Sequence, residues 1–126
     1  MRAVDTNVLV RSIVRDDDHQ VAAAESFIAG GAWVSALALG EAIWVLATTY
    51  AFDAQDQATA IAMLLNHRDY ILQDADAVAS ALDLFRERPS LGFSDCLILE
   101  LARKAGHLPL GTFDRKIGRV DGAKKL

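Results

Sequence analysis

Cysteine is nearly absent: the 126 residues hold one, Cys96. No internal disulfide can form, and one thiol cannot build a zinc cage. The residue reads as a reduced core cysteine. Long hydrophobic runs are missing as well. The longest uncharged stretch, Ser26 to Gly40, has 15 residues and is broken by Gly30, Gly31 and Ser35. It falls short of the about 18 that suggest a membrane span. The opening MRAVDTNVLV carries an early acid and no small-residue cleavage site, which argues against a secretory signal. The expected compartment is the cytoplasm, with no membrane partner. There is no GxxxxGK[ST] phosphate loop, no GxGxxG turn and no GxSxG nucleophile elbow. The three histidines, His19, His67 and His107, do not cluster. Each lies near a predicted helix end and reads as a surface or capping residue.

What is present is a globular balance of 52% hydrophobic and 24% charged residues. The length suits one domain over residues 1–126, which would bury about two-thirds of the unfolded chain's surface. The net charge of −4 looks wrong for a nucleic-acid partner, but the charge is unevenly spread. Residues 1–102 hold six Lys/Arg against 15 Asp/Glu, a net of −9. Residues 103–126 hold seven against two, a net of +5. The basic end reads either as a phosphate-contacting surface or as ordinary solvated charge. Acids that converge on a divalent metal would reverse the local field.

Strand and helix patterns alternate along the chain, without repeats or low-complexity tracts. That implies an α/β protein with a mostly parallel sheet covered on both faces. Arg2 to Asp5 reads as a strand, followed by the apolar run Val8 to Val14. Asp16-Asp17-Asp18 starts a second helix, because acids complement the partial positive charge of a helix N-terminus, and Gly30-Gly31 ends it. Ala32 to Val34 is a second strand, and Ser35 caps a helix running to about Tyr50. Asp53 caps a fourth helix. Tyr70 to Leu72 is a third strand, and Asp74 is the expected cap of a fifth helix bearing Val78, Ala81, Leu82 and Phe85 at helical spacing. Ser94 is the expected cap of a sixth helix that stops at Gly106. Leu108 to Thr112 is a fourth strand, and a last short strand is expected near Val120.

Most acids in this pattern have an ordinary structural reason to be where they are. Four invite a second reading. Glu41 is the sole charge between Ala36 and Phe52. It shares a helix face with Leu37, Trp44 and Val45. If that face is buried, its carboxylate must be neutralised, paired or metal-bound; otherwise its tip reaches solvent or a distant Arg. Asp5 ends the first strand, where α/β sheets bind ligands, and the alternative is a helix cap. Asp95 opens an apolar helix, and its alternative is dipole complementarity. Asp114 follows the fourth strand, and its alternative is a turn. Together, four carboxylates suit one or two hard divalent cations, Mg²⁺ or Mn²⁺. A two-ion site hydrolyses phosphodiesters by activating water and stabilising the leaving oxygen.

Four ordered segments carry a resemblance: AVDTNVLVR at the start, Val34 to Glu41 followed by AIWVL, Phe93-Ser-Asp95-Cys-Leu-Ile, and Thr112-Phe-Asp114-Arg. The chain resembles the PIN-domain family, and within it the VapC toxins of prokaryotic toxin–antitoxin pairs. The resemblance covers nearly the whole chain. It implies a three-layer α/β/α sandwich with a central, mostly parallel sheet of four to five strands. It implies metal-dependent endoribonuclease activity, an antitoxin partner and a homodimer. By position, Asp5, Glu41, Asp95 and Asp114 match the family's acids. Asn7 matches a polar residue supporting the first of them, and Thr112 the hydroxyl residue before the last. Some members carry a further acid just after the fourth, where this chain has Lys116 and Gly118. Arg11, Arg15, Arg115, Lys116 and Arg119 are candidate RNA contacts. A non-catalytic PIN-like binding module for RNA or protein is the alternative. A phosphate-accepting receiver-like domain is a third, although it has no role for an acid at Glu41.

Overall fold

The computed structural model describes all 126 residues. They form two compact units, Met1–Ala75 and Asp76–Leu126. No helix is long and apolar enough to cross a membrane.

In the first unit β1 (Arg2–Val4), β2 (Ala32–Val34) and β3 (Tyr70–Leu72) pair in parallel in the order β1-β2-β3. Val4 stands opposite Val34, and Val34 opposite Leu72. Side chains alternate across a sheet. One face therefore buries Val4, Ala32, Val34, Tyr70 and Leu72, while Trp33 and Ile71 on the other remain 39% and 49% exposed. The alternation thus places Trp33 on the half-open face rather than in the core.

The connecting helices are α1 (Thr6–Ile13), α2 (Asp18–Ile28), α3 (Ala36–Thr49) and α4 (Ala54–Leu65). Asp17, Ser35 and Asp53 cap α2, α3 and α4 through side-chain oxygens that accept from backbone N–H groups, and Asp53 forms a capping box with Asp56. Each such cap contributes about 1 kcal/mol. α1 packs on α2 and α3, and α3 on α4. Leu9, Leu39, Leu46, Ile61 and Leu64 are fully or almost fully buried, and each such side chain contributes about 1.5–3 kcal/mol.

The second unit contains α5 (Ala75–Glu87, entered from the first unit's last residue), α6 (Phe93–Ala105), β4 (Leu110–Thr112) and β5 (Ala123–Lys125). Two 3₁₀ turns, Pro89–Leu91 and Ile117–Arg119, link them. β4 and β5 pair in parallel, with Leu110 opposite Ala123. Phe85 of α5 meets Phe93 of α6 edge-on, ring centroids 6.0 Å apart. Cys96 is fully buried, as a core cysteine should be, and burial foremost pushes its thiol up to about 11.

The expected α/β class is present, with five strands in all-parallel pairings; they pair as a sheet of three and a sheet of two. Three local expectations shift. Ser94 lies inside α6, whose N-cap is Gly92 at φ +81°, a conformation that favours glycine. Asp74 has φ +50°, so it turns the chain into α5 without the extended backbone typical of an N-cap. The last strand is Ala123–Lys125, just beyond Val120.

Candidate active site

The two acids of the first unit follow the carboxyl ends of parallel strands. Asp5 comes directly after β1. Its Oδ1 accepts from the Asn7 N–H at 3.1 Å and the Val8 N–H at 3.3 Å, which caps α1. Its Oδ2 has no hydrogen-bond partner within the chain. The cap therefore uses one oxygen and leaves the other available. Asn7 is exposed and contributes its backbone N–H to this arrangement.

Glu41 sits in the second turn of α3, the helix that leaves β2. Thr6 Oγ1 donates to its Oε2 at 3.0 Å. That bond joins the residue after Asp5 to the acid on the neighbouring helix. Glu41 is exposed, and its face carries Leu37 at 74% and Trp44 at 65% exposure. The suspicion of a buried face is thus corrected: α3 buries Ala38, Leu39, Ala42, Ile43 and Leu46 on its other side. The helix is apolar almost all round, so its periodicity could not mark which face turns inward. Thr6 was missed as a site residue. Its place between Asp5 and Asn7, at the first helical position, was the available signal.

In the second unit Asp95 is the third residue of α6. It is half-buried and makes no hydrogen bond or ion pair within the chain. Burial, and then the nearby charge of Asp114, holds its carboxyl above the usual carboxylate range. Asp114 stands just beyond β4. Its N–H donates to Thr112 Oγ1 at 3.0 Å, and its Oδ1 accepts from the Lys116 N–H at 2.7 Å and the Ile117 N–H at 3.1 Å. Like Asp5, it keeps Oδ2 unpartnered. Thr112 thus positions Asp114 by holding its backbone.

Each unit therefore presents two carboxylates. Asp5 and Glu41 are linked through Thr6, and Asp95 and Asp114 lie near enough to repel. Within neither unit do three or more His, Cys, Asp or Glu side chains gather closely enough to hold a metal by themselves. The donor chemistry nonetheless fits a hard divalent cation: every candidate ligand is a carboxylate, and a cation would relieve the Asp95–Asp114 repulsion.

The candidate phosphate contacts divide. Arg11 is tied to Asp16 at 2.5 Å and to the Tyr50 hydroxyl at 3.2 Å, and Arg15 to Glu25 at 2.5 Å. Arg115, Lys116 and Arg119 are exposed and carry no ion pair. The first unit also has a cleft of about 530 Å³ lined by Arg15, Glu25, His67, Arg68 and Asp69, among others. It flanks the amino ends of the strands, away from Asp5 and Glu41, so its size does not make it the reactive site.

A family model described as the PIN domain matches residues 2–123, a span that takes in both units. No curated protein and no solved structure matches the chain significantly.

Proposed function

Because the chain belongs to the PIN-domain family, whose members are in general nucleases of α/β/α fold, we propose that it is a metal-dependent endoribonuclease and the toxin of a VapBC-type toxin–antitoxin pair. The observation that carries the catalytic reading is Asp95. A half-buried carboxylate with no partner of its own and a second carboxylate close by is costly to keep ionised. A carboxylate so perturbed is a candidate for function, and a bound cation would offset the cost.

In this reading residues 1–126 work as one nuclease domain, in which Asp5, Glu41 and Asp95 would hold the main ion, directly or through water, and Asp114 would complete the site or support a second ion. The order of the four acid-bearing segments supports this assignment. Bound Mg²⁺ or Mn²⁺, as one ion or two, supplies an activated water and charge for the leaving oxygen of the RNA phosphodiester. Thr6 and Thr112 keep Glu41 and Asp114 oriented, and Asn7 keeps Asp5 at its post.

The proposed partners are RNA, a cognate antitoxin and a second copy of the chain, met in the cytoplasm. An antitoxin segment would cross the acidic site and place an Arg among the carboxylates. The exposed Leu37 and Trp44 beside Glu41 offer apolar surface to a protein partner. The competing reading, a non-catalytic binding module, draws on the lack of a three-acid cluster within either unit.

The deciding experiment incubates antitoxin-free protein with total RNA, with and without Mg²⁺ or Mn²⁺, beside an Asp5→Asn variant, and maps new RNA ends. Metal-dependent ends that vanish in the variant establish the nuclease. A folded, metal-binding protein that produces none is a binding module, and normal cutting by a folded Asp5→Asn variant removes Asp5 from the site.

A further inference from the structure

The second unit contains two clefts that share Arg119. One, of about 380 Å³, lies between the turn Pro89–Leu91 and the segment around Lys116 and Arg119, and Arg88 lines it as well. The other, of about 330 Å³, is lined by Arg115, Gly118, Arg119 and Lys125. Five cations thus line two adjoining clefts, and none of them is ion-paired. The one carboxylate in the lining is Glu87. Unpaired cations concentrated on concave surface create a field that draws anions.

The chain builds this arrangement deliberately. Asp114 Oδ1 caps the turn that carries Arg115, Lys116 and Arg119. At Gly118 a Cβ would come within 2.9 Å of the Lys125 Cβ. Glycine therefore lets the turn lie against β5, so that Arg119 and Lys125 face one cleft. Phe113, one residue before Asp114, is 81% exposed. It lies two residues before Arg115, which lines one of the clefts, and an exposed ring next in sequence to clustered cations matches how proteins hold single-stranded nucleic acid, with cations on phosphates and a ring stacked on a base. A purely acidic polypeptide would use the cations and leave the ring idle.

We propose that Arg88, Arg119 and Lys125, with Arg115 and Lys116 between them, form a phosphate track for single-stranded RNA, and that Phe113 stacks on one of its bases. The proposal rests on the ribonuclease reading for its choice of RNA, and it adds Arg88, Lys125 and Phe113 to the substrate surface. The track also begins beside a proposed metal ligand, since Asp114 anchors the turn.

The test measures binding of a fluorescent oligouridylate to the full chain by anisotropy, in EDTA so that no cleavage intervenes, from about 50 to 200 mM KCl. Arg88→Gln/Lys125→Gln should weaken binding and lower the slope of log K against log salt by about 0.7 for each cation removed. Phe113→Ala should weaken binding about 5-fold or more with the slope unchanged; Phe113→Leu serves if the alanine variant unfolds. Circular dichroism confirms that each variant is folded. Unchanged affinity and slope in the double glutamine variant overturn the proposal, as does polyglutamate binding as tightly as RNA, which would assign the surface to an acidic protein segment. The two readings fail separately. RNA binding that follows Arg88 and Lys125 without metal-dependent cleavage sustains the track and removes the nuclease. Cleavage with binding indifferent to these residues does the reverse.

Discussion

Thr6 Oγ1 donates a hydrogen bond to Glu41 Oε2 at 3.0 Å, joining the first turn of α1 to the second turn of α3. The bond holds one carboxylate oxygen and leaves the other available. Thr6→Val keeps the branched shape and removes the donor. It should cost about 1 kcal/mol of stability in urea unfolding and lower RNA cleavage about 10-fold or more. Unchanged cleavage would show that Glu41 needs no such orientation.

Asp95→Asn should abolish cleavage while leaving the metal-free protein at least as stable as the parent at neutral pH. The sign follows from the raised carboxyl of Asp95. The folded protein binds this proton more tightly than the unfolded chain does. Ionisation of Asp95 therefore subtracts stability as pH rises from the unfolded value through the folded one. The variant escapes that loss. Its advantage should be present at neutral pH and fade as pH falls to the unfolded carboxyl's range, about 3.9. Unfolding curves of both proteins in EDTA across that range provide the check. An advantage that grows on acidification would contradict it.

Metal should stabilise the parent and not the variant. At a concentration about 100 times the dissociation constant, a ligand specific to the folded state adds about 2.7 kcal/mol. For a chain of this length that raises Tm by several degrees. Differential scanning fluorimetry with Mg²⁺ or Mn²⁺ should register the rise for the parent and little or none for Asp95→Asn. Equal rises would place the ion elsewhere.

Cys96 should be silent to thiol reagents. It is fully buried and its thiol is pushed up to about 11, so almost no thiolate exists at neutral pH. Labelling by a disulfide reagent should proceed only as fast as the chain opens, and should accelerate with urea. Fast labelling of the native protein would show that α6 opens locally.

The local elements were the legible part of the sequence. Ala32–Val34 and Tyr70–Leu72 appear as expected, and Ser35 and Asp53 cap where expected, because capping and strand punctuation act over three or four residues. The four acids stand out by position alone: Asp5 and Asp114 after strands, Glu41 within an otherwise uncharged helix and Asp95 at a helix start. Orientation was harder to read. Whether the Glu41 face is buried or open stays undecided in the sequence because α3 is apolar almost all round, and only packing against α1 and α4 decides which side is covered. Gly92 displaced Ser94 as the cap of α6 because the preceding turn at Pro89–Leu91 delivers the chain at positive φ. Arg88 and Lys125 went unnoticed for a simpler reason: they share a groove system only after the segments between them have folded.

The parallel register gives the acid pair of the first unit a phase. Val4 and Val34 are partners across the sheet, and Asp5 and Ser35 stand one residue beyond them. α1 and α3 therefore start level with each other, and Glu41 meets Thr6 because it lies a fixed number of residues into α3. Each residue of an α-helix turns the side chain by about 100°. A one-residue deletion between Ser35 and Glu41 would keep the strands and nearly the same composition, yet swing the carboxylate about a quarter-turn or more off Thr6, and turn Ala42, Ile43 and Leu46 away from the core with it. The spacing from strand end to acid is therefore as much a part of the candidate site as the acid itself, and a chain that kept every acid but changed this count would be a different molecule at its reactive edge.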